Sequence, residues 1–321
     1  MAKNAPGRAN REGISLVKLA EMFPTEDSAR QWFETTRWPR GITCPHCAGE
    51  SIAAVKNAKP MPWRCRECRK FFSVRTGTVM AESKLPLKKW VWAVYLCATN
   101  LKGVSSMKIH RDLEVTQKTA WFMAHRIRAA MGAEGGLLAG PVEVDETYIG
   151  GREKNKPLSQ RQRPGRAKRG PAGKAMVVGI KDRRTGEIRA RAVERGITGK
   201  LRGFVEEHTE PGATVYSDEA RAYVGLRYIG YRHQAVHHAA GEYVNAQAHV
   251  NGVESFWSML KRGYHGTFHH FSAKHLQRYA DEFATRQGLR EHDTIDLMGE
   301  VVGRMVGKRL TYSALVGEDA A

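Results

Sequence analysis

Asp145, Asp218 and Glu254 are the residues whose types and spacing could do chemistry in this chain. Asp145 lies in an apolar, strand-like run, Pro-Val-Glu-Val-Asp-Glu-Thr-Tyr-Ile-Gly, and Asp218 ends a second, Ala-Thr-Val-Tyr-Ser-Asp. Glu254 falls on a helix-patterned stretch from about Ala248 to Arg262, whose buried stripe is Val253, Phe256 and Leu260 with Trp257 at its margin. Lys261 follows Glu254 by two helical turns on the same face. Two strand-end aspartates and a helical glutamate offer hard oxygen ligands, which suit two Mg²⁺ or Mn²⁺ ions. Such a pair can clamp both oxygens of an in-line phosphoryl displacement, with Lys261 on a neighbouring phosphate. Asn251 is the alternative third member, as a neutral oxygen ligand or a nucleic-acid contact. Strand alternation turns Glu143 to the side of Asp145 as an auxiliary ligand, whereas Glu146 and Glu219 read as outer or surface residues. The many histidines of 233–275 include no His-x-x-x-His pair with the positioned glutamate of a zinc site, and only His249 is singled out, as a neighbour of Asn251.

A second metal centre is written in the cysteines. Cys44-Pro-His-Cys47 and Cys65-Arg-Glu-Cys68 stand at the spacing of a four-cysteine zinc ribbon. Four thiolates close the coordination sphere, so one Zn²⁺ there is structural and His46 is a surface residue. The fifth cysteine, Cys97, lies in an apolar stretch and reads as a small buried hydrophobe. This usage fits a reducing, cytoplasmic compartment. Residues 1–12 lack an apolar signal region, and no stretch is long enough to span a bilayer.

The formal charge of +19 over 321 residues calls for a polyanionic partner, and DNA fits the triad's chemistry. A large share of that charge lies in Gly151–Lys174, where Arg152, Lys154, Lys156, Arg161, Arg163, Arg166, Lys168, Arg169 and Lys174 face one acid, Glu153. A basic loop directly after the first catalytic aspartate would grip a DNA backbone. Lys56, Lys59, Arg64, Arg66, Arg69 and Lys70 decorate the ribbon, as phosphate contacts or as a solvated face.

The elements that must position these groups follow from periodicity and breakers. Residues 13–40 read as a helical lead-in broken at Pro24, and 41–80 as the ribbon. Across 85–132 an apolar helix precedes two more joined by the turn Glu114–Thr116, a helix-turn-helix pattern. Thr116 would cap the last helix, whose front presents Gln117, Lys118 and His125 to a major groove, with Trp121, Phe122 and Ile127 in the core. Gly135–Gly140 reads as a small-residue linker. From 140 to 290 the order is strand with Asp145, hairpin strands around Asp182–Gly186, helix, strand with Asp218, then the helix of Glu254. That is a ribonuclease H-like α/β catalytic domain, with 151–174 as an insertion. Residues 291–321 read as a tail.

In combination these motifs resemble a known family, the bacterial insertion-sequence transposases of the DDE class with an N-terminal zinc ribbon (ISXO2-like transposases). The resemblance spans roughly 15–290. It rests on Arg37-Trp-Pro-x-Gly41, the first cysteine pair, Phe72-Ser-Val-Arg-Thr-Gly-Thr-Val79 and Ser83-Lys-Leu-Pro86. Val144-Asp-Glu-Thr-Tyr-Ile-Gly-Gly151, Val253-Glu-Ser-Phe-Trp-Ser-Met-Leu-Lys261 and His269-His270 with Lys274-His-Leu-Gln-Arg-Tyr279 complete it. It implies cleavage of element ends at their inverted repeats and transfer of 3′ ends to target DNA, by a dimer or higher oligomer on DNA. Carried over, Asp145 and Asp218 match the metal-binding aspartates, and Glu254 with Lys261 the final acidic and basic pair. Some members have Asn in the third acidic place, which keeps Asn251 in view. Two rival readings use the same residues: a metal-dependent nuclease or resolvase, and a non-catalytic DNA-binding protein.

Overall fold

The computed structural model describes residues 12–132, 135–151, 174–193, 198–218, 223–235 and 250–317. The chain forms two compact units, one of Met1–Met131 with Arg290–Ala321 and one of Gly132–Leu289.

The first unit begins with α1 (Leu16–Met22) and α2 (Glu26–Arg37). Each starts where a hydroxyl takes up a free helix N–H. Ser15 accepts from Lys18, and Thr25 and Ser28 cap each other's backbone reciprocally just after Pro24. Three short strands follow, β1 (Ile52–Ala54), β2 (Trp63–Cys65) and β3 (Phe71–Phe72), in one antiparallel sheet. Helix α3 (Leu87–Thr99) is apolar nearly all round and becomes the unit's central helix. Its first turn has no cap of its own, so Glu26 accepts from the backbone N–H groups of Leu87 and Lys88. Cys97 is buried there, as its apolar setting implied.

Helix α4 (Ser106–Leu113) ends at Glu114 in the left-handed region, and α5 (Gln117–Ala130) is capped by Thr116, which accepts from Thr119. Three expectations need correction here. His125 is fully buried with its ring edge-on to Trp121, so it faces the core and not a groove. The stretch 291–321 carries α9 (Thr294–Gly303) and α10 (Tyr312–Val316). Leu297, Met298, Val301 and Val302 are apolar at helical spacing, and their burial draws α9 into this unit. Tyr312 packs against Trp121 and Phe122, half-buried rather than core, and Lys118 Nζ sits 4.3 Å above its ring.

In the second unit a five-stranded sheet has β4 (Val142–Ile149) at its centre. It is flanked by β5 (Ala175–Asp182) and β6 (Ile188–Val193) on one side, β7 (Thr214–Ser217) and β8 (Arg232–Ala235) on the other. β4, β5 and β6 pair antiparallel, while β4, β7 and β8 run parallel. The β5–β6 hairpin turns where expected: Asp182 Oδ1 accepts from Arg184 and Thr185, and Gly186 takes a positive φ. The small-residue linker is partly paired, Leu138 bridging to Thr209.

Alternation divides the sheet's two faces. Val142, Val144, Val178 and Ile180 pack with Leu201, Phe204 and Val205 of α6 (Thr198–His208). On the other face Val177, Ile188 and Ala190 pack with α7 (Asn251–Gly263) and α8 (Leu276–Gly288). Among the described residues no helix is long and apolar enough to cross a membrane.

Candidate functional site

Parallel pairing of β4 with β7 brings the first two carboxylates together. Val144 stands opposite Ser217, and β7 ends there, so Asp218 emerges beside Asp145. One ligand oxygen from each of Asp145, Glu146 and Asp218 lies within 4.8 Å of the others, and all three residues are half-buried. Glu146 thus joins the site rather than facing solvent. Its carboxylate accepts from the buried hydroxyl of Tyr223 at 2.8 Å. Glu219 lies outside the described residues.

Among the described residues, the electrostatics of the site are dominated by burial and by repulsion between carboxylates. Burial, and then the neighbouring Asp218 carboxylate, push Asp145 up to about 7. Burial also raises Glu146, offset in part by the Tyr223 hydrogen bond, and raises Tyr223 well above its ordinary range. Converging half-buried carboxylates of this kind fit a hard divalent cation, whose charge would relieve their repulsion.

Helix α7 is bound to this strand at two places. Trp257 Nε1 donates to Asp145 Oδ2 at 2.9 Å, while the backbone N–H of Glu146 donates to Oδ1 at 2.8 Å. One turn towards the helix start, Glu143 Oε2 accepts from the backbone N–H of Val253 at 2.9 Å, and Oε1 accepts from Arg183 Nε at 2.8 Å. Glu143 is therefore a buried cap for an α7 start that has no side-chain cap of its own, and its carboxylate is turned to the helix and Arg183 instead of serving as an auxiliary ligand. Gly252 makes the approach possible, since a Cβ there would lie 2.6 Å from Glu143 Oε2 and 2.7 Å from Lys181 Nζ.

Glu254, Lys261 and Asn251 all lie on α7 and are exposed. Helical geometry places Glu254 about 60° and Lys261 about 40° around the axis from Trp257, the residue that touches Asp145. The described carboxylate cluster contains Asp145, Glu146 and Asp218, with Glu254 outside it. His249 and the basic residues Arg161, Arg163, Arg166, Lys168 and Arg169 fall outside the described residues. His233, by contrast, is buried and hydrogen-bonded to Ser217 Oγ, which itself donates to the Asp218 carbonyl. The sequence signals for the missed participants are the Asp145-Glu146 adjacency and the Gly179 that pairs with Asp145.

In the other unit, the four cysteines converge with Cys44 Sγ 3.6 Å from Cys68 Sγ and Cys47 Sγ 3.7 Å from Cys65 Sγ. Zinc–sulfur bonds of about 2.3 Å give a tetrahedron with edges of about 3.8 Å, so the thiols already stand at zinc spacing. Gln117 and Lys118 are exposed on the first turn of α5, with Gln117 Nε2 donating to Ser106 Oγ.

Comparison with known proteins finds a family match in each unit. Residues 137–287, nearly all of the second unit, match the ISXO2-like transposase domain, and residues 24–71 match the transposase zinc-ribbon domain. A relative described as an uncharacterized protein in transposable element ISH50 of Halobacterium salinarum is 32% identical over 248 residues. The match covers 75% of this chain and 83% of the relative.

Proposed function

This chain belongs to the ISXO2-like transposase family of insertion sequences, and we propose that it cuts the DNA ends of such an element and joins them to target DNA. The observation that carries the reading is the convergence of the Asp145, Glu146 and Asp218 carboxylates within the segment matched by the transposase domain. The sheet order, an antiparallel hairpin beside parallel strands, supports a ribonuclease H-like catalytic core.

Asp145 and Asp218 would hold two Mg²⁺ or Mn²⁺ ions, with Glu254, or Asn251 in its place, supplied from α7. When bound, the ions supply Lewis-acid stabilisation of the charge that develops on the phosphoryl group. The chain's own residues do the positioning. Two fixed N–H donors set the plane of the Asp145 carboxylate, and Glu143 anchors the start of α7. Lys261, exposed two turns beyond Glu254, offers an ammonium to a phosphate of the bound strand.

DNA recognition falls to the zinc ribbon, with one structural Zn²⁺ on Cys44, Cys47, Cys65 and Cys68, and to a helix-turn-helix formed by α4 and α5. There Gln117 and Lys118 would reach base edges or phosphates. The basic insertion, with Arg161, Arg163, Arg166, Lys168 and Arg169, would add sequence-independent grip. Two element ends must be processed together, so the active species is a dimer or higher oligomer on DNA.

The test is reaction of purified protein with a labelled duplex carrying the element's own end, with and without Mg²⁺. Nicks plus joined products, both requiring the ion, are expected. Nicking without joining would make the protein a nuclease or resolvase, and tight binding without metal-dependent nicking a DNA-binding protein alone. Binding strength should fall steeply with salt, because each neutralised phosphate releases a counterion. A flat salt dependence in a mobility-shift titration would contradict the assignment of the basic residues.

A further inference from the structure

We propose that Trp257 is a positioning residue for the active-site carboxylate of Asp145, and that position 179 is glycine so that the indole can reach it. The inference rests on the reading of Asp145 as a metal ligand. Trp257 is 4% exposed, and a buried tryptophan of purely structural role would need only some acceptor for its one N–H. Here the acceptor is Asp145 Oδ2, at 2.9 Å. The other oxygen takes the N–H of Glu146, so each carboxylate oxygen holds one fixed donor and keeps free capacity for a cation. Without the indole, only the Glu146 N–H would hold the group against repulsion from Asp218 and Glu146, and its last torsion is a soft one.

The slot for the indole is made by an absence. Gly179 is the cross-strand partner of Asp145 on β5. A Cβ at 179 would lie 2.7 Å from Trp257 Cη2 and 2.8 Å from Cζ2, both too close. Phe256 packs against the indole with ring centroids 4.7 Å apart. Since Trp257 is on α7, the same hydrogen bond also fixes the rotation of the helix that carries Glu254 and Lys261. Removing a hydrogen bond that orients a metal ligand characteristically costs 10–100-fold in affinity.

The experiment is titration of the zinc-loaded full chain with Mn²⁺, counting free ion by electron paramagnetic resonance, on wild type, Trp257→Phe, Gly179→Ala and the double variant. Phenylalanine keeps an aromatic ring on the helix but loses the N–H together with part of the indole's volume. Trp257→Phe is expected to bind Mn²⁺ about tenfold more weakly, with a modestly lower melting temperature from the lost ring volume and a DNA affinity close to wild type. Gly179→Ala should weaken binding similarly by displacing the indole, and should add little on the Trp257→Phe background. Wild-type Mn²⁺ affinity in Trp257→Phe would overturn the proposal. Should that variant not fold, wild-type affinity in Gly179→Ala would do the same. Asp145→Asn is the reference: undiminished Mn²⁺ binding there would instead remove the metal-ligand reading of Asp145.

Discussion

Asp145→Asn should abolish metal-dependent DNA cleavage and, without added divalent ions, should raise the melting temperature of the α/β unit. The first effect follows from its proposed role, since losing a ligand forfeits several kcal/mol of charge stabilisation, roughly a 10³-fold fall in rate. The second follows from the pocket. Burial and the adjacent Asp218 raise Asp145 from 3.8 to about 7. Between those values the folded state holds a proton that the unfolded chain has released, so stability falls as pH rises through that window. By pH 8 the ionised group costs about 4 kcal/mol, from roughly three units at about 1.4 kcal/mol each. Asparagine removes that cost but leaves the Trp257 N–H facing an amide, giving back about 1–1.5 kcal/mol. The balance, about 2–3 kcal/mol, corresponds to roughly 5–10 °C in a unit of this size. Calorimetry at pH 8 should show the rise, and at pH 5, where wild-type Asp145 is largely protonated, it should nearly vanish. Millimolar Mg²⁺ should stabilise the wild type and leave the variant unchanged. A lower melting temperature for Asp145→Asn at pH 8 would mean that the carboxylates are not the source of strain.

How much of this could be read in the sequence differs between the two units. Local signals were faithful. Thr116 does cap α5, Pro24 does separate two helices, and Asp182–Gly186 does turn the hairpin, because each depends on residues within one turn of each other. The cysteine spacing carried the ribbon for the same reason, as two short pairs suffice to define four ligands. What escaped depends on partners far apart in sequence. Glu143 is separated from Val253 by 110 residues, and Trp257 from Asp145 by 112. Strand alternation assigned Glu143 to the correct face, but it cannot say that a helix start would occupy that face. Likewise Glu146 points by alternation to the opposite face from Asp145, and only the early end of β7 lets both carboxylates meet Asp218. His125 sat at a position that a groove-facing helix allows, yet the packing of Trp121 and the helices around it claims that ring for the core. The C-terminal stretch failed as a tail because its apolar residues complete a core built mostly from the first 131 residues.

Removing zinc should unfold the ribbon outright. Its fully buried side chains are Cys44, Cys65 and Phe72, and two of those three are proposed zinc ligands. Burial of Phe72 contributes about 1.5–3 kcal/mol, too little to hold three strands of two or three residues each. A structural zinc bound by four thiolates contributes about 10–16 kcal/mol. Cys65→Ser, or a strong chelator under reducing conditions, should therefore release the segment from Ile42 to Phe72. Arg64, Arg66 and Lys70 should become rapid trypsin sites, with mass spectrometry locating the cuts. Half-buried Trp63, whose Nε1 donates to Glu34 at 2.8 Å, should lose that bond and shift its emission to the red. Capped helix α2 and the core around α3 do not depend on the ion and should keep their helical signal. If binding to element ends also fails while weak, salt-sensitive binding to any duplex persists, the ribbon contributes recognition and not only charge. Unchanged trypsin resistance in Cys65→Ser would show that the strands and their aromatic side chains hold the ribbon without the metal.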